Sequence, residues 1–196
     1  MAALAAEHPI SFDMQKKDRL AEIISEKSLI RQSGIKLASG VESNFYFDMK
    51  PTLFDPEGSN LIADLILRAI AGLKVDFIGG LEMGAVPIVA SVCLKSFGRE
   101  PIPGFFVRKR VKDHGTKRRV EGIPPNVELK DKHVLFVDDV TTTGGSVLSA
   151  VQAAQEAGCR VSTVVTVVDR CEGAYENLAA EGIDLIALLD ARDFEI

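Results

Sequence analysis

The chain has 196 residues, is 46% hydrophobic and carries 6% aromatic residues with no tryptophan, enough for one globular domain, 1–196, with a sizeable core. Its formal net charge of -5 and pI near 5.3 exclude a global electrostatic drive onto nucleic acid or an anionic membrane. Three cysteines, an odd number in no zinc or redox spacing, point to a reducing, cytoplasmic compartment.

The start, Met1 to His8, is faintly like a signal peptide, but it lacks a basic region and Glu7 cuts its apolar run short. No stretch approaches the ~20 apolar residues of a membrane span. Asp18 can cap a helix through about Lys27, with Leu20, Ile23 and Ile24 on one face. Ile35 to Leu37 and Phe45 to Asp48 read as short strands around a polar turn at Ser39-Gly40. Pro56 and Glu57 open a helix carrying Leu61, Ile62, Leu65, Ile66, Ala69 and Ile70 at helical spacing. A strand at Val75 to Ile78, a helix over Val86 to Phe97 and a strand at Ile102 to Val107, interrupted by Pro103, follow. Further on come a strand at Val134 to Val137, a helix over Ser146 to Ala157 ended by Gly158, and a long strand at Val161 to Val168. A helix at Ala174 to Ala180 and a strand at Leu185 to Leu189 close the pattern.

From Glu57 onward strands and helices alternate, and the strands are continuous apolar runs. Both features predict an α/β fold, a central and mostly parallel sheet flanked by helices on two faces. Residues 1–50 break that rhythm and are read as a small N-terminal hood over one edge or the mouth of the sheet. Residues 109–125 are polar, basic and rich in Gly and Pro, with no apolar period. A long loop after a strand's carboxyl end is read as a mobile lid. A nucleic-acid patch is the rival, and the acidic chain with no interleaved aromatics speaks against it. Cys93 and Cys159 are read as core or near-core thiols, and His133 as structural.

The most informative run is His133 to Ser146. An apolar β-branched strand leads to Asp138 and Asp139, and then to Val140, Thr141, Thr142, Thr143, Gly144, Gly145 and Ser146 at the start of a helix. Unpaired amides and the dipole at a helix start attract anions, hydroxyls add donors, and glycines allow close backbone approach. This is a phosphate cradle of the helix-terminus kind. It lacks the lysine of a Walker A loop and is not a G-x-G-x-x-G fingerprint. The adjacent acids suit ribose hydroxyls, or a magnesium ion held partly through water. Gly79 to Pro87 is a second strand–turn–helix with close glycines, able to form an anion nest. Arg108, Lys109, Lys112 and His114 open the basic loop, and Arg170 follows a buried strand, where its planar guanidinium suits a carboxylate.

Val134 to Ser146 resembles the signature by which type I phosphoribosyltransferases bind 5-phosphoribosyl 1-pyrophosphate (PRPP). Leu37 to Asp48, Arg108 to Gly115 and Val168 to Gly173 are similar to segments of the orotate phosphoribosyltransferases, in the same order along the chain. The resemblance implies transfer of phosphoribose from PRPP to orotate, giving orotidine 5'-monophosphate and pyrophosphate in pyrimidine synthesis, with Mg2+. It implies that Asp138 and Asp139 hold the ribose hydroxyls, that Thr141 to Ser146 hold the 5-phosphate, and that Val140 belongs to the same PRPP site. Arg108, Lys109, Lys112 and His114 would contact pyrophosphate, partly across a homodimer interface, and the catalytic set would be Lys112, His114, Asp138 and Asp139. Arg170, with Phe45, Tyr46 and Thr142, would receive orotate, and Gly79 to Pro87 resembles the pyrophosphate loop. Many of these enzymes have lysine at Ala38 and at Gly84. A phosphoribosyltransferase for a purine or uracil, and a nucleic-acid-binding regulator on the same fold, are the alternatives.

Overall fold

The computed structural model describes residues 14–36, 42–110 and 119–196. The expected turn at Ser39-Gly40, Ala38, and the loop residues Lys112 and His114 lie outside the described residues.

The first helix, α1 (Met14–Lys27), buries Leu20, Ile23 and Ile24 as its spacing predicts. It begins four residues before Asp18, which is therefore an exposed interior residue rather than its cap. Two antiparallel strands follow, β1 (Leu29–Lys36) and β2 (Glu42–Phe47). Their register slips between Arg31 and Ile35, beside Gly34 at φ 73°. That irregularity and the polar run Arg31–Ser33 hide most of β1 from a pattern search. A one-turn helix, α2 (Lys50–Leu53), went unpredicted. Helix α3 (Pro56–Ala69) is capped by Asp55, whose carboxylate accepts from Gly58 N at 2.8 Å.

Strands β3 (Phe77–Gly80), β6 (His133–Thr141), β7 (Arg160–Asp169) and β8 (Asp184–Asp190) form one parallel sheet in the order β3-β6-β7-β8. Alternation sends Leu135, Val137, Val165 and Val167 to the face covered by α1, α3 and α4 (Ala85–Ser96). Val134, Phe136 and Val164 go to the face covered by α5 (Gly145–Glu156) and α6 (Ala174–Ala180). Burial on both faces explains why these strands read as unbroken apolar runs.

Three strand expectations are corrected. The segment 102–107 is not a full strand. It runs beside β3 through parallel bridges at Gly104 and Val107, and only β4 (Phe106–Val107) is regular, because Pro103 has no N–H to give. The loop 109–125 contains β5 (Val120–Glu121), paired antiparallel with β4. Strand β6 does not end before the acids but continues through them to Thr141.

The hood strands are tied to the main body. Phe47 packs on Phe194 with ring centroids 4.9 Å apart, and Arg31 donates to the Glu195 carbonyl at 2.9 Å. Cys93 is half-buried and Cys159 buried, as expected of core thiols, and Cys171 is exposed. Among the described residues no helix is long and apolar enough to cross a membrane.

Candidate active site

The carboxyl end of β6 gathers the acids and the glycine turn. Residues next to each other on a strand point to opposite faces, so Asp139 shares the face of Leu135 and Val137, while Asp138 shares that of Phe136. Asp138 pairs in register with Thr166 of β7. The buried Thr141 hydroxyl bonds Thr166 Oγ1 at 2.9 Å and more loosely Asp138 Oδ2 at 3.4 Å. Asp139 lies against the backbone before α4, where a Cβ on Gly84 would stand 2.3 Å from its Oδ1.

Asp138 and Asp139 are half-buried residues whose carboxyls are crowded by protein. Burial pushes both pKa values above the ordinary carboxylate range, and for Asp138 the neighbouring charge of Asp139 adds to the shift. Nearby cations oppose this: Lys109 acts on both acids and Lys50 on Asp139. A cation, or hydroxyl donors from a ligand, would relieve the pair.

The turn delivers what its composition promised. Gly144 takes φ 80°, a left-handed conformation open to glycine, and starts α5 with no side-chain cap. Gly145 and Ser146 are exposed, so the uncapped start of α5 faces solvent. Thr142 is half-buried beside them, and the Thr143 carbonyl is anchored by Asn177 Nδ2 at 2.9 Å.

Arg170 reaches this end from β7. Its backbone N–H donates to the Thr141 carbonyl at 2.9 Å. Its buried guanidinium lies over the Phe45 ring, 4.4 Å from the centroid, and donates to Ser43 Oγ at 3.1 Å. Nε sits 2.8 Å from Glu172 Oε1 as an ion pair, without hydrogen-bond geometry. Phe45 is thus brought to Arg170, whereas Tyr46, one residue on, faces the other side of β2 and is exposed.

The basic loop springs from a fixed base. Arg108 N donates to the Arg119 carbonyl at 2.8 Å, and Arg119 also reaches Ser149 of α5. Lys109 N donates to Glu82 Oε1 at 2.8 Å. The buried Nε of Arg108 has no hydrogen-bond partner among the described residues, while its Nη1 lies 3.5 Å from Glu121. The contacts of Glu82, Thr166 and Ser43 escaped sequence reasoning, because each is made with a partner remote in sequence.

A cavity of about 730 Å3 lies elsewhere, between residues 119–130 and α5, lined by Arg119, Ile123, Leu129, Ala153 and Glu156 among others. It contains neither acid nor the glycine turn. Among the described residues no group of three or more His, Cys, Asp or Glu could cage a metal.

Fold and recess together define a phosphoribosyltransferase: residues 54–184 match the family model of the phosphoribosyl transferase domain. The orotate phosphoribosyltransferase of a Bradyrhizobium species is 49% identical over 177 residues, covering 90% of this chain and 95% of that one. A phosphoribosyltransferase structure from Corynebacterium diphtheriae superposes with TM-score 0.80 at 37% identity, covering 93% of this chain and 100% of the other. The Mycobacterium tuberculosis orotate phosphoribosyltransferase in complex with PRPP gives TM-score 0.73 at 33% identity, over 91% and 98% of the two chains. The chain belongs to the orotate phosphoribosyltransferases, enzymes that move phosphoribose from PRPP to orotate.

Proposed function

We propose that the recess at the carboxyl end of β6 binds PRPP and joins its ribose to orotate, giving orotidine 5'-monophosphate and pyrophosphate. One observation carries the reading: two carboxylates raised by burial stand beside an uncapped, glycine-opened helix start, with Arg170 just past the end of the next strand. Asp138 and Asp139 accept hydrogen bonds from the ribose hydroxyls. Backbone amides and hydroxyls from Val140 to Ser146 hold the 5-phosphate. Arg170, pre-set by Phe45 and Ser43, receives the orotate carboxylate, and Thr142 contributes its hydroxyl to orotate. Phe45 flanks the base. Tyr46 completes that aromatic pair only through a change of its orientation on β2.

The transition state is oxocarbenium-like with a departing, highly charged pyrophosphate. Catalysis therefore rests on positioning and on charge placed where it develops. Arg108 and Lys109, with Lys112 and His114 further along the loop, supply that charge. The Glu82–Lys109 bond fixes where the loop begins.

The donor set fits magnesium that arrives with the substrate. Two hard carboxylates, with no cluster of three or more His, Cys, Asp or Glu among the described residues, suit an ion held mostly by substrate oxygens and water. Bound there, the ion neutralises charge on the diphosphate. Chelation by excess EDTA should abolish turnover and magnesium restore it.

We read the chain as one domain, hood included, and as a homodimer whose loop acts across the interface. Its free cysteines suit a reducing cytoplasm.

The test is turnover of PRPP and magnesium with orotate, uracil, adenine or xanthine, followed by base absorbance and pyrophosphate. Orotate alone should react, and turnover of another base in its place refutes the assignment. Asp139→Asn and Arg170→Ala should each lower kcat/KM by on the order of 10²–10³ without unfolding the chain. A fully active Arg170→Ala removes the carboxylate contact.

A further inference from the structure

The cavity of about 730 Å3 beside α5 has an apolar body between two held walls. On the helix side Ala153 and Ala157 lie four residues apart, hence on one side of α5, and their short side chains leave space that larger ones would fill. The facing wall carries Ile123, Val127 and the buried Leu129. A turn closes it, with Val127 N donating to the Pro124 carbonyl at 3.0 Å, and the Asp131 backbone N–H ties it to the Gly158 carbonyl past the end of α5 at 2.9 Å.

Arg119 is the half-buried charge of this lining. Among the described residues its guanidinium meets only neutral oxygens. Nε donates to the Arg108 carbonyl at 3.1 Å, and the two terminal nitrogens reach the Ser149 carbonyl and hydroxyl at 3.4 Å each. Bonds as long as the last two are weak, and a guanidinium bonds a carboxylate, sulfonate or phosphate more strongly, two oxygens at a time. The other charged groups of the lining, Glu128, Lys130 and Glu156, are exposed and are served by water. The occupant that suits this space joins an apolar body to one anionic group, and the volume is that of a small-molecule site.

Arg119 also closes the basic loop. Its carbonyl accepts from the Arg108 backbone N–H at 2.8 Å, and its Nε returns a bond to the Arg108 carbonyl. An anion on the guanidinium competes with the second of these bonds. We propose that the cavity is a second binding site, for a small organic anion with an apolar body, and that Arg119 passes its occupancy to the loop. Occupancy draws the guanidinium from the Arg108 carbonyl, loosens the loop base and slows turnover. That coupling rests on the role given to the loop above; the binding does not.

The test uses two fluorescent probes on the full-length chain: anilinonaphthalene sulfonate, and phenylnaphthylamine, which has the same apolar body without the sulfonate. Ala153→Leu fills the cavity from a buried position, and Ala157→Phe from an exposed one where the wild-type Tm should hold. Each should weaken both probes by roughly tenfold. Arg119→Gln should weaken the sulfonate by about tenfold and leave phenylnaphthylamine unchanged. In orotate turnover the sulfonate should lower kcat without competing with PRPP, and Ala157→Phe, with normal basal turnover, should resist it. Sulfonate binding that none of the three changes reduces overturns the site. Inhibition relieved by excess PRPP overturns the coupling, because it places the probe in the β6 recess. If the unaltered chain turns over no orotate, the function proposed for that recess falls and the coupling with it, while sulfonate binding lost in Ala157→Phe and Arg119→Gln still upholds the second site.

Discussion

At the scale of single residues, the acid pair is placed against the stability of the free protein. Burial raises both carboxyl pKa values, so between the ordinary value of about 4 and the raised one the native state holds more protons than the unfolded chain. Stability from this pair is then present at low pH and lost as pH rises through that window. Asp138→Asn removes the penalty. It should raise Tm at neutral pH by roughly 3 °C, about 1 kcal/mol, while lowering turnover at least about 10²-fold. Thermal scans at pH 5 and pH 8 check the sign: the advantage of Asp138→Asn over wild type should be larger at pH 8. A constant difference would show that the pair is not charged at a cost. Other acids run the opposite way. Arg19 holds Glu57 below the usual range, and the His133 backbone N–H does the same for Asp76; their contribution fades as pH falls. Asp138, Asp139 and Arg170 were picked out from residue type and neighbours, and the structure brings them to one end of the sheet. The role of Glu82 was not, since nothing in the run Gly80-Leu81-Glu82-Met83 says that its carboxylate accepts from the Lys109 backbone N–H.

At the scale of elements, close approach of β3 to α4 shapes the recess. A Cβ on Gly80 would lie 2.3 Å from the Ala85 Cβ and 2.6 Å from the Val137 carbonyl oxygen. Backbone cannot yield cheaply there, so Gly80→Ala should cost about 1–3 kcal/mol, seen as a clear fall in Tm. Gly98→Ala is the control, because nothing lies within 4 Å of that position, and its Tm should hold. The helices of the α/β body were legible because each buries one stripe at helical spacing, as α3 does with Leu61, Ile62, Leu65 and Ile66. Boundaries were less so. Strand β6 looked finished at Val137 because carboxylates rarely sit within a sheet, yet the ladder to β7 runs on to Thr141. The pair β4–β5 is two residues long on each side, too short for any period to appear.

At the scale of the whole molecule, the hood stays in register with the sheet through aromatic packing near the carboxyl end. Phe194 is 6% exposed and stacks on Phe47, two residues from Phe45 and its Arg170 contact. Phe194→Ala should cost about 3 kcal/mol and raise the KM for orotate more than that for PRPP, since β2 carries Phe45. Equal KM values with a lowered Tm would confine Phe194 to stability. Loop exchange between subunits has its own check. Separately inactive Asp139→Asn and His114→Ala chains should regain activity when mixed and allowed to exchange, and no recovery would place each loop over its own site.

By itself the sequence determined the parallel sheet, its two covering layers, and the acid-and-glycine corner where β6 meets α5. Those features are written locally, in the spacing of apolar residues and in turn chemistry within a few positions. Only the tertiary structure decided which remote groups meet there: Arg170 with Ser43 across 127 positions, and Glu82 with Lys109. Such meetings depend on how strands stack and helices pack, and packing is fixed by the shapes of all the buried side chains together rather than by any one stretch of chain.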